Sequence, residues 1–165
     1  MNQTQVAANS DAVQATAFTT ADHAADLIRT LNPDLRLELD FDPRRDNEWY
    51  DCEDEPRADT DPPKLIQWHA YHTFYVEPRR ETATLIDPIV QELVAEGWTT
   101  GQESKGNGGR SVDLARDGYN LKVGGVTEGL PDRVSTVGIR VFSPCIEAPE
   151  GILDWKPTAS PTPTP

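Results

Sequence analysis

The chain contains two cysteines, Cys52 and Cys145, whose chemistry can be argued directly from their number and spacing. They lie far apart, and neither belongs to a CxxC motif or to a metal-ligand spacing. This arrangement favours one long-range disulfide, because such cross-links persist in secreted and envelope proteins but not among reduced cytosolic thiols. Two buried, unpaired thiols are the alternative, since free cysteine often packs as a small apolar residue. The pairing predicts an oxidising, extracytoplasmic location.

His69 and His72 form an H-x-x-H pattern that raises the question of a metal site. They belong to a segment that alternates between apolar and polar residues, which is typical of a strand. Residues three apart on a strand point to opposite faces, so the two imidazoles cannot share one ion. We therefore predict no metal site, and expect His72 to be a core histidine with a hydrogen-bond partner.

The other face of the same strand carries His69, Tyr71 and Tyr75. Tyrosine combines a large apolar ring with a hydrogen-bonding hydroxyl, which suits a binding surface. We predict that these three residues form a binding patch if no helix covers that face. Cross-strand packing on a half-exposed sheet is the alternative explanation for the same residues.

Two further patterns resemble ligand sites but fit simpler explanations. The triplet Asp59-Thr60-Asp61 and the nearby acids provide oxygen ligands for Ca²⁺, yet they lack the glycine and the distal glutamate of an EF-hand loop. A solvated acidic loop is the better interpretation. The glycines at 106, 108 and 109 are followed by neither GK[ST] nor a helix, which favours a hairpin loop over a phosphate cradle.

No motif of a catalytic nucleophile is present, because the chain lacks GxSxG and its two cysteines are accounted for by the disulfide. The sequence predicts no catalytic residue and no cofactor. With 165 residues, the chain is long enough for one domain with a substantial core. Its net charge of −13 argues against binding nucleic acid or anionic lipid by charge.

Hydrophobic periodicity places two helices and about five strands along the chain. The first helix is expected over residues 20–31 and the second over 85–94, with Pro88 in its first turn and Gly97 ending it. The strands are expected at 35–41, 65–77, 112–114, 119–123 and 137–141. The fold class is therefore α+β, an antiparallel sheet with both helices packed on one face, in the order α-β-β-α-β-β-β.

The predicted domain covers residues 18–155, between two disordered ends. Residues 1–17 are rich in Gln, Asn, Ala and Thr and are expected to form a disordered tether, and residues 156–165 a Thr/Pro-rich disordered tail. No apolar run is long enough to span a membrane. The first residues also lack the features of a signal peptide, which conflicts with the disulfide unless a targeting segment has been removed. We therefore expect such a segment, with a lipid anchor, upstream of Met1 in the natural precursor. A natural N-terminus with cytosolic expression is the alternative.

Several segments of the chain resemble a known group of proteins. They are the helix ending EGW, the strand pair joined at ARDGYNLKVGG, the strand entering VFSPC, and Trp49, Cys52 and Trp68 upstream. Together they are similar to uncharacterised lipoproteins and secreted small α+β domains of actinobacteria, over residues 49–145. The resemblance implies an extracytoplasmic domain tethered by a lipid, and it carries over no catalytic residue.

The sequence thus predicts a non-enzymatic envelope domain, either lipoprotein-like or secreted. It would bind an envelope protein, a peptide or a small ligand through His69, Tyr71 and Tyr75 or through a groove beside the second helix. Two alternatives stay open: an enzyme or enzyme accessory acting on cell-wall polymers, which a deep pocket with two perturbed carboxylates would favour, and a structural spacer. A sheet fully covered by helices would favour the spacer.

Overall fold

A computed structural model describes residues 2–34, 36–41, 48–53, 55, 58, 60–106, 108–126 and 134–155. For residues 37–41 and 48 it describes the backbone alone. The predicted C-terminal tail and part of the acidic loop, including Asp54 and Asp59, lie outside the described residues.

The first helix, α1, spans Gln3–Leu31, so the prediction of a disordered tether over residues 1–17 is wrong. The Asn2 side chain caps it by accepting a hydrogen bond from the backbone N–H of Gln5. Its buried stripe consists mainly of small residues: Val6, Ser10, Ala17, Ala21, Ala24, Ala25 and Ile28. Alanine has the highest helix propensity but contributes a weak hydrophobic signal, which is why periodicity detected only the C-terminal part of this helix.

The second helix, α2, spans Thr82–Ala95 and ends as predicted. Gly97 has a φ of +100°, and the backbone N–H groups of Gly97 and Trp98 donate to the carbonyls of Val94 and Leu93. These two bonds form a Schellman motif, in which glycine tolerates the left-handed backbone. Because the helix begins three residues earlier than expected, Pro88 lies in its interior and not in its first turn.

Eight strands form one antiparallel sheet in the described part of the chain. Their bounds are β1 Arg36–Phe41, β2 Glu48–Asp51, β3 Leu65–Glu77, β4 Thr99–Gly106, β5 Gly109–Arg116, β6 Tyr119–Val126, β7 Ser135–Phe142 and β8 Ile146–Glu147. The main order is β1-β3-β7-β6-β5-β4, with β2 and β8 both pairing with β3. A short 3₁₀ helix, Ile152–Asp154, follows β8.

The α+β class is confirmed, but the predicted strand count and order are only approximate. The element order is α-β-β-β-α-β-β-β-β-β, with β2, β4 and β8 in addition to the predicted strands. β4 has the sequence TTGQESKG and is exposed along its whole length. It therefore has no apolar alternation from which to predict it, and its conformation depends on pairing with β5.

The core lies between one face of the sheet and the two helices. On β3 the buried side chains alternate with partly exposed ones, and the buried set is Ile66, Trp68, Ala70, His72, Phe74 and Val76. Apart from His72, which is polar, these residues belong to one cluster with the buried stripe of α2 and with the part of the α1 stripe from Ala17 to Ile28. The two helices also contact each other through His23 and Glu96, whose Nε2 and Oε2 atoms are 2.8 Å apart. The opposite face of the central strands is not covered by either helix.

The predicted disulfide is present between Cys52 and Cys145. Their Cα atoms lie 6.1 Å apart, and 93 positions separate them in sequence. Cys52 follows β2 and Cys145 precedes β8, which are the two short strands that pair with the beginning of β3 on either side of Ile66. The cross-link therefore holds two short strands that have few ladder bonds of their own.

Candidate ligand-binding face

The open face of the sheet is built from the outward-facing residues of β3, β7, β6, β5 and β4. Inter-strand pairing aligns Thr73 with Gly138, Gly138 with Gly124, Gly124 with Ser111, and Ser111 with Ser104. This row of small residues crosses five strands at right angles to their direction. We call the depression above it the transverse groove.

A cavity of about 480 Å³ lies on this face. Among its lining residues are Thr73, Ser104, Ser111, Gly124 and Gly138, which are the whole floor of the transverse groove. Larger side chains at these positions would fill the space, so the depression follows from the two glycines and three short hydroxyl side chains. Its volume is in the range of sites that hold small organic ligands.

Two rows of larger residues flank the floor. On one side Tyr71 pairs with Arg140, and Arg140 pairs with Lys122. On the other side Tyr75 pairs with Thr136, and Thr136 pairs with Val126. Tyr75 and Val126 are among the exposed large side chains of the protein. The groove therefore has one cationic wall and one mixed apolar and hydroxyl wall, each beginning with a tyrosine.

The charge of the cationic wall contrasts with the acidity of the whole chain. None of the described residues that line the cavity is Asp or Glu. Arg140 stacks on Tyr71, with its guanidinium carbon 5.5 Å from the ring centroid. None of the described carboxylates forms an ion pair with Arg140, whereas Lys122 lies 3.5 Å from Asp113. Arg140 thus has more capacity than Lys122 to bind an external anion.

His69 packs beside this groove within a cluster of aromatic rings. Its imidazole stacks on Tyr50 with 3.9 Å between ring centroids, and it meets Phe142 edge to face at 4.3 Å. Burial, together with the positive charge of Arg140, lowers the pKa of His69 from 6.5 to about 4. At neutral pH this imidazole is therefore uncharged and contributes an aromatic surface.

His72 lies on the opposite, helix-covered face, as the strand geometry predicts. It is 5% exposed, and its Nε2 atom is 3.0 Å from Oδ1 of Asp22 on α1. It is therefore a core histidine with a hydrogen-bond partner. Its side chain therefore points to the other side of the sheet from that of His69.

The pKa of His69 leads to a prediction about acid stability. The unfolded imidazole takes up a proton near pH 6.5 and the folded one only near pH 4, so the unfolded state binds more protons between these values. Consequently, His69 contributes a loss of stability as the pH falls from 6.5 towards 4. We expect His69→Gln to remove this contribution, measured by urea unfolding at several pH values. An NMR titration midpoint of His69 near its ordinary pKa would contradict the prediction.

The other patterns noted in the sequence have structural explanations. Gly106 pairs with Gly109 at the end of the β4–β5 hairpin, and Gly108 has a φ of +69°, which confirms the hairpin interpretation. Among the described residues, no group of three or more His, Cys, Asp or Glu side chains has the arrangement of a metal site. Across those same residues, neither helix combines the length and apolar character needed to cross a bilayer.

Arg140, Lys122, Gly124 and Gly138 were not identified as site residues from the sequence. Isolated glycines within two strand patterns were a usable signal, because a strand glycine often marks a close approach of a ligand or another backbone. The sequence does not show which residues of neighbouring strands are paired. Without it, the alignment of Gly124, Gly138 and Thr73 in one row cannot be inferred.

Comparisons with known proteins provide one structural relationship. No family model matches the chain, and no curated protein matches it. Among solved structures, it is similar to that of "the putative lipoprotein LppA from Mycobacterium tuberculosis". The TM-score is 0.52 at 20% identity, and the alignment covers 92% of this chain and 85% of the mycobacterial one. The two chains share a fold. This agrees with the α+β architecture that the sequence resemblance implied.

Proposed function

We propose that this protein is a non-enzymatic extracytoplasmic domain, lipoprotein-like or secreted, that binds a ligand on the open face of its sheet. The observation that carries the proposal is the transverse groove, a depression of about 480 Å³ on a sheet face that neither helix covers. Tyr71 and Tyr75 stand at one end of its two walls, and the neutral ring of His69 lies beside them. The predicted binding patch is thus extended across the sheet by residues of β5, β6 and β7.

Two observations support the extracytoplasmic location. The disulfide between Cys52 and Cys145 is of the kind that persists in oxidising compartments. The fold is also shared with a mycobacterial protein described as a lipoprotein. A spacer role would be favoured by a fully covered sheet without a cavity, and the open face does not have that property. Paired carboxylates for glycoside hydrolysis are missing from the described lining of the groove.

The proposal predicts that a Tyr71→Ala, Tyr75→Ala double variant loses ligand affinity by about tenfold or more, since tyrosines that a bound partner covers are often among the residues with the largest binding energy. The measurement is NMR mapping of backbone amide shifts with solubilised polysaccharide and peptide fractions of a bacterial envelope, followed by affinity measurements with the binding fraction. We expect the shifts to lie on β3, β6 and β7.

A matched control is Val94→Ala, because Val94 is an exposed apolar residue on α2 in the other layer. It should leave both the shifts and the affinity unchanged. Shifts confined to α1 and α2, or unchanged affinity of the double tyrosine variant, would contradict the proposed binding face.

A further inference from the structure

We infer that the transverse groove binds an extended, hydroxyl-rich chain that carries carboxylate or phosphate groups, in chemical terms an anionic oligosaccharide. The inference rests on the proposed binding function of the open face and specifies the ligand class. It depends on three properties of the groove: its direction across the strands, the chemistry of its floor, and the charge of one wall.

The direction of the groove selects an elongated ligand. Its floor runs from Thr73 on β3 to Ser104 on β4 and crosses five strands. Neighbouring strands are ~4.8 Å apart, so four spacings give a length of about 19 Å. A single sugar or a small ion would occupy only a fraction of this length. An oligosaccharide of several residues fits it.

The floor favours a glycan over a peptide. A peptide that adds to a sheet needs unpaired backbone groups along an edge strand. The floor strands β3, β7, β6 and β5 each have a partner on both sides, so their backbone groups are already used in the ladders. Among the floor strands only β4 is an edge strand, and it forms one end of the groove, so a strand added to it would lie across the groove end and not along the floor. The groups that remain in the cavity lining are the hydroxyls of Thr73, Ser111, Ser104 and Thr136, which suit the hydroxyl groups of sugars. The register places Tyr71 and Tyr75 next to this lining, where their rings suit the apolar faces of sugar rings.

The charge of the wall favours an anion. Four basic residues lie around the cavity, but three of them already have anionic partners within the fold, and Lys122 has Asp113 at 3.5 Å. Arg110 donates hydrogen bonds to Glu103 and to Asp87, and Lys105 lies 3.3 Å from Glu103. Arg140 and Lys122 lie in the wall beside the middle of the groove. Of these, Arg140 has no ion pair with a described carboxylate, and its stacking on Tyr71 leaves the guanidinium edge available for a planar anion.

The charge of the whole chain does not oppose this inference. At physiological ionic strength, charges more than about 8 Å apart in solvent are largely screened, so the local cations dominate at the groove. Arg140 is therefore the residue whose removal should affect binding most.

The test uses a linear uronic-acid tetrasaccharide as the probe, a neutral tetrasaccharide of equal length, and a short polyglutamate peptide. Affinities are measured by calorimetry at low and physiological salt, and the site is mapped by NMR. We expect the uronic-acid probe to bind at the groove, and Arg140→Gln to weaken its binding by about tenfold, as expected for loss of a charge-assisted hydrogen bond. Lys122→Gln should weaken binding less, because Asp113 already partners Lys122.

Two matched controls separate the groove from general effects. Lys64→Gln removes one positive charge outside the groove and should leave the affinity unchanged. The variant that tests the floor is Gly124→Ala, which adds a methyl group there. The new Cβ would lie 3.4 Å from Ser111 Cβ, which is an ordinary contact distance. The variant should preserve folding and weaken binding. The second control is Gly101→Ala, which adds a methyl group on the edge strand β4 beside Asp113 and should change neither the folding nor the affinity.

The outcomes distinguish this inference from the proposed function on which it rests. Equal affinity for the neutral and uronic-acid probes, or binding of the polyglutamate peptide alone, would overturn the anionic-glycan inference while the open face stays the binding face. Absence of uronic-acid binding would also overturn it, and envelope-fraction shifts mapping to the helices would overturn the proposed function as well.

Discussion

We expect a Cys52→Ser, Cys145→Ser double variant to have a free energy of unfolding about 4–5 kcal/mol lower than the wild-type protein, from the chain-entropy model for a loop of this length. The disulfide closes a loop with a sequence separation of 93 and joins the ends of two strands that depend on it for their position. Since small domains are stabilised by only about 5–15 kcal/mol in total, this loss is a large fraction of the stability. Urea unfolding of the two proteins measures it.

The control for this prediction is the wild-type protein treated with a reductant, which should behave like the double variant. Intact mass before and after reduction shows whether the bond forms, through the gain of two hydrogen atoms. The result also bears on location, because the bond should form when the protein is produced in an oxidising compartment. Free thiols at both positions under those conditions, with equal unfolding midpoints, would contradict the proposed extracytoplasmic location.

We expect Trp68→Ala to lower the free energy of unfolding by about 3–5 kcal/mol, the usual cost of truncating a large buried aromatic side chain. Trp68 is 2% exposed. Its indole N–H donates to Oγ of Ser10 over 3.1 Å, and its ring meets Trp155 edge to face at 4.8 Å. Trp68 therefore connects β3 to the N-terminal half of α1 and to Trp155, the residue that follows the 3₁₀ helix. The variant should lose both contacts.

Two comparison variants isolate the cause of that effect. Tyr75→Ala truncates an exposed aromatic on the same strand and should cost less than about 1 kcal/mol. Ser10→Ala leaves the indole N–H without its acceptor and should cost about 1–3 kcal/mol. A stability of Trp68→Ala close to that of the wild-type protein would mean that the N-terminal half of α1 does not pack as described.

Local sequence patterns predicted the parts of the fold that have strong periodicity. α2 has a wide apolar stripe and a glycine stop, and β3 alternates between buried and outward residues along its length. The N-terminal half of α1 and the whole of β4 were missed because their signals are weak. The former buries mostly small side chains, and the latter is polar on both faces. Their conformations depend on contacts with distant parts of the chain.

The candidate site shows the same division. The sequence predicts that His69, Tyr71 and Tyr75 share one face of a strand, because their spacing within a single alternating segment is enough to place them there. The transverse groove could not be predicted from the sequence. It arises because residues from five strands are aligned by their hydrogen-bond register, and a shift of one residue in any strand would turn its side chains to the other face.

The amino-acid sequence by itself determined the α+β class, the pair of cysteines available for cross-linking, the outward set of β3 and the acidic character of the chain. Those properties depend on composition and on spacing within short segments. Only the tertiary structure decided that Gly124, Gly138 and Thr73 form one floor, that Arg140 lies in the wall beside it, and that Cys52 meets Cys145. The reason is physical: strand order and register follow from packing the whole core, in which every buried face must meet its partner at once.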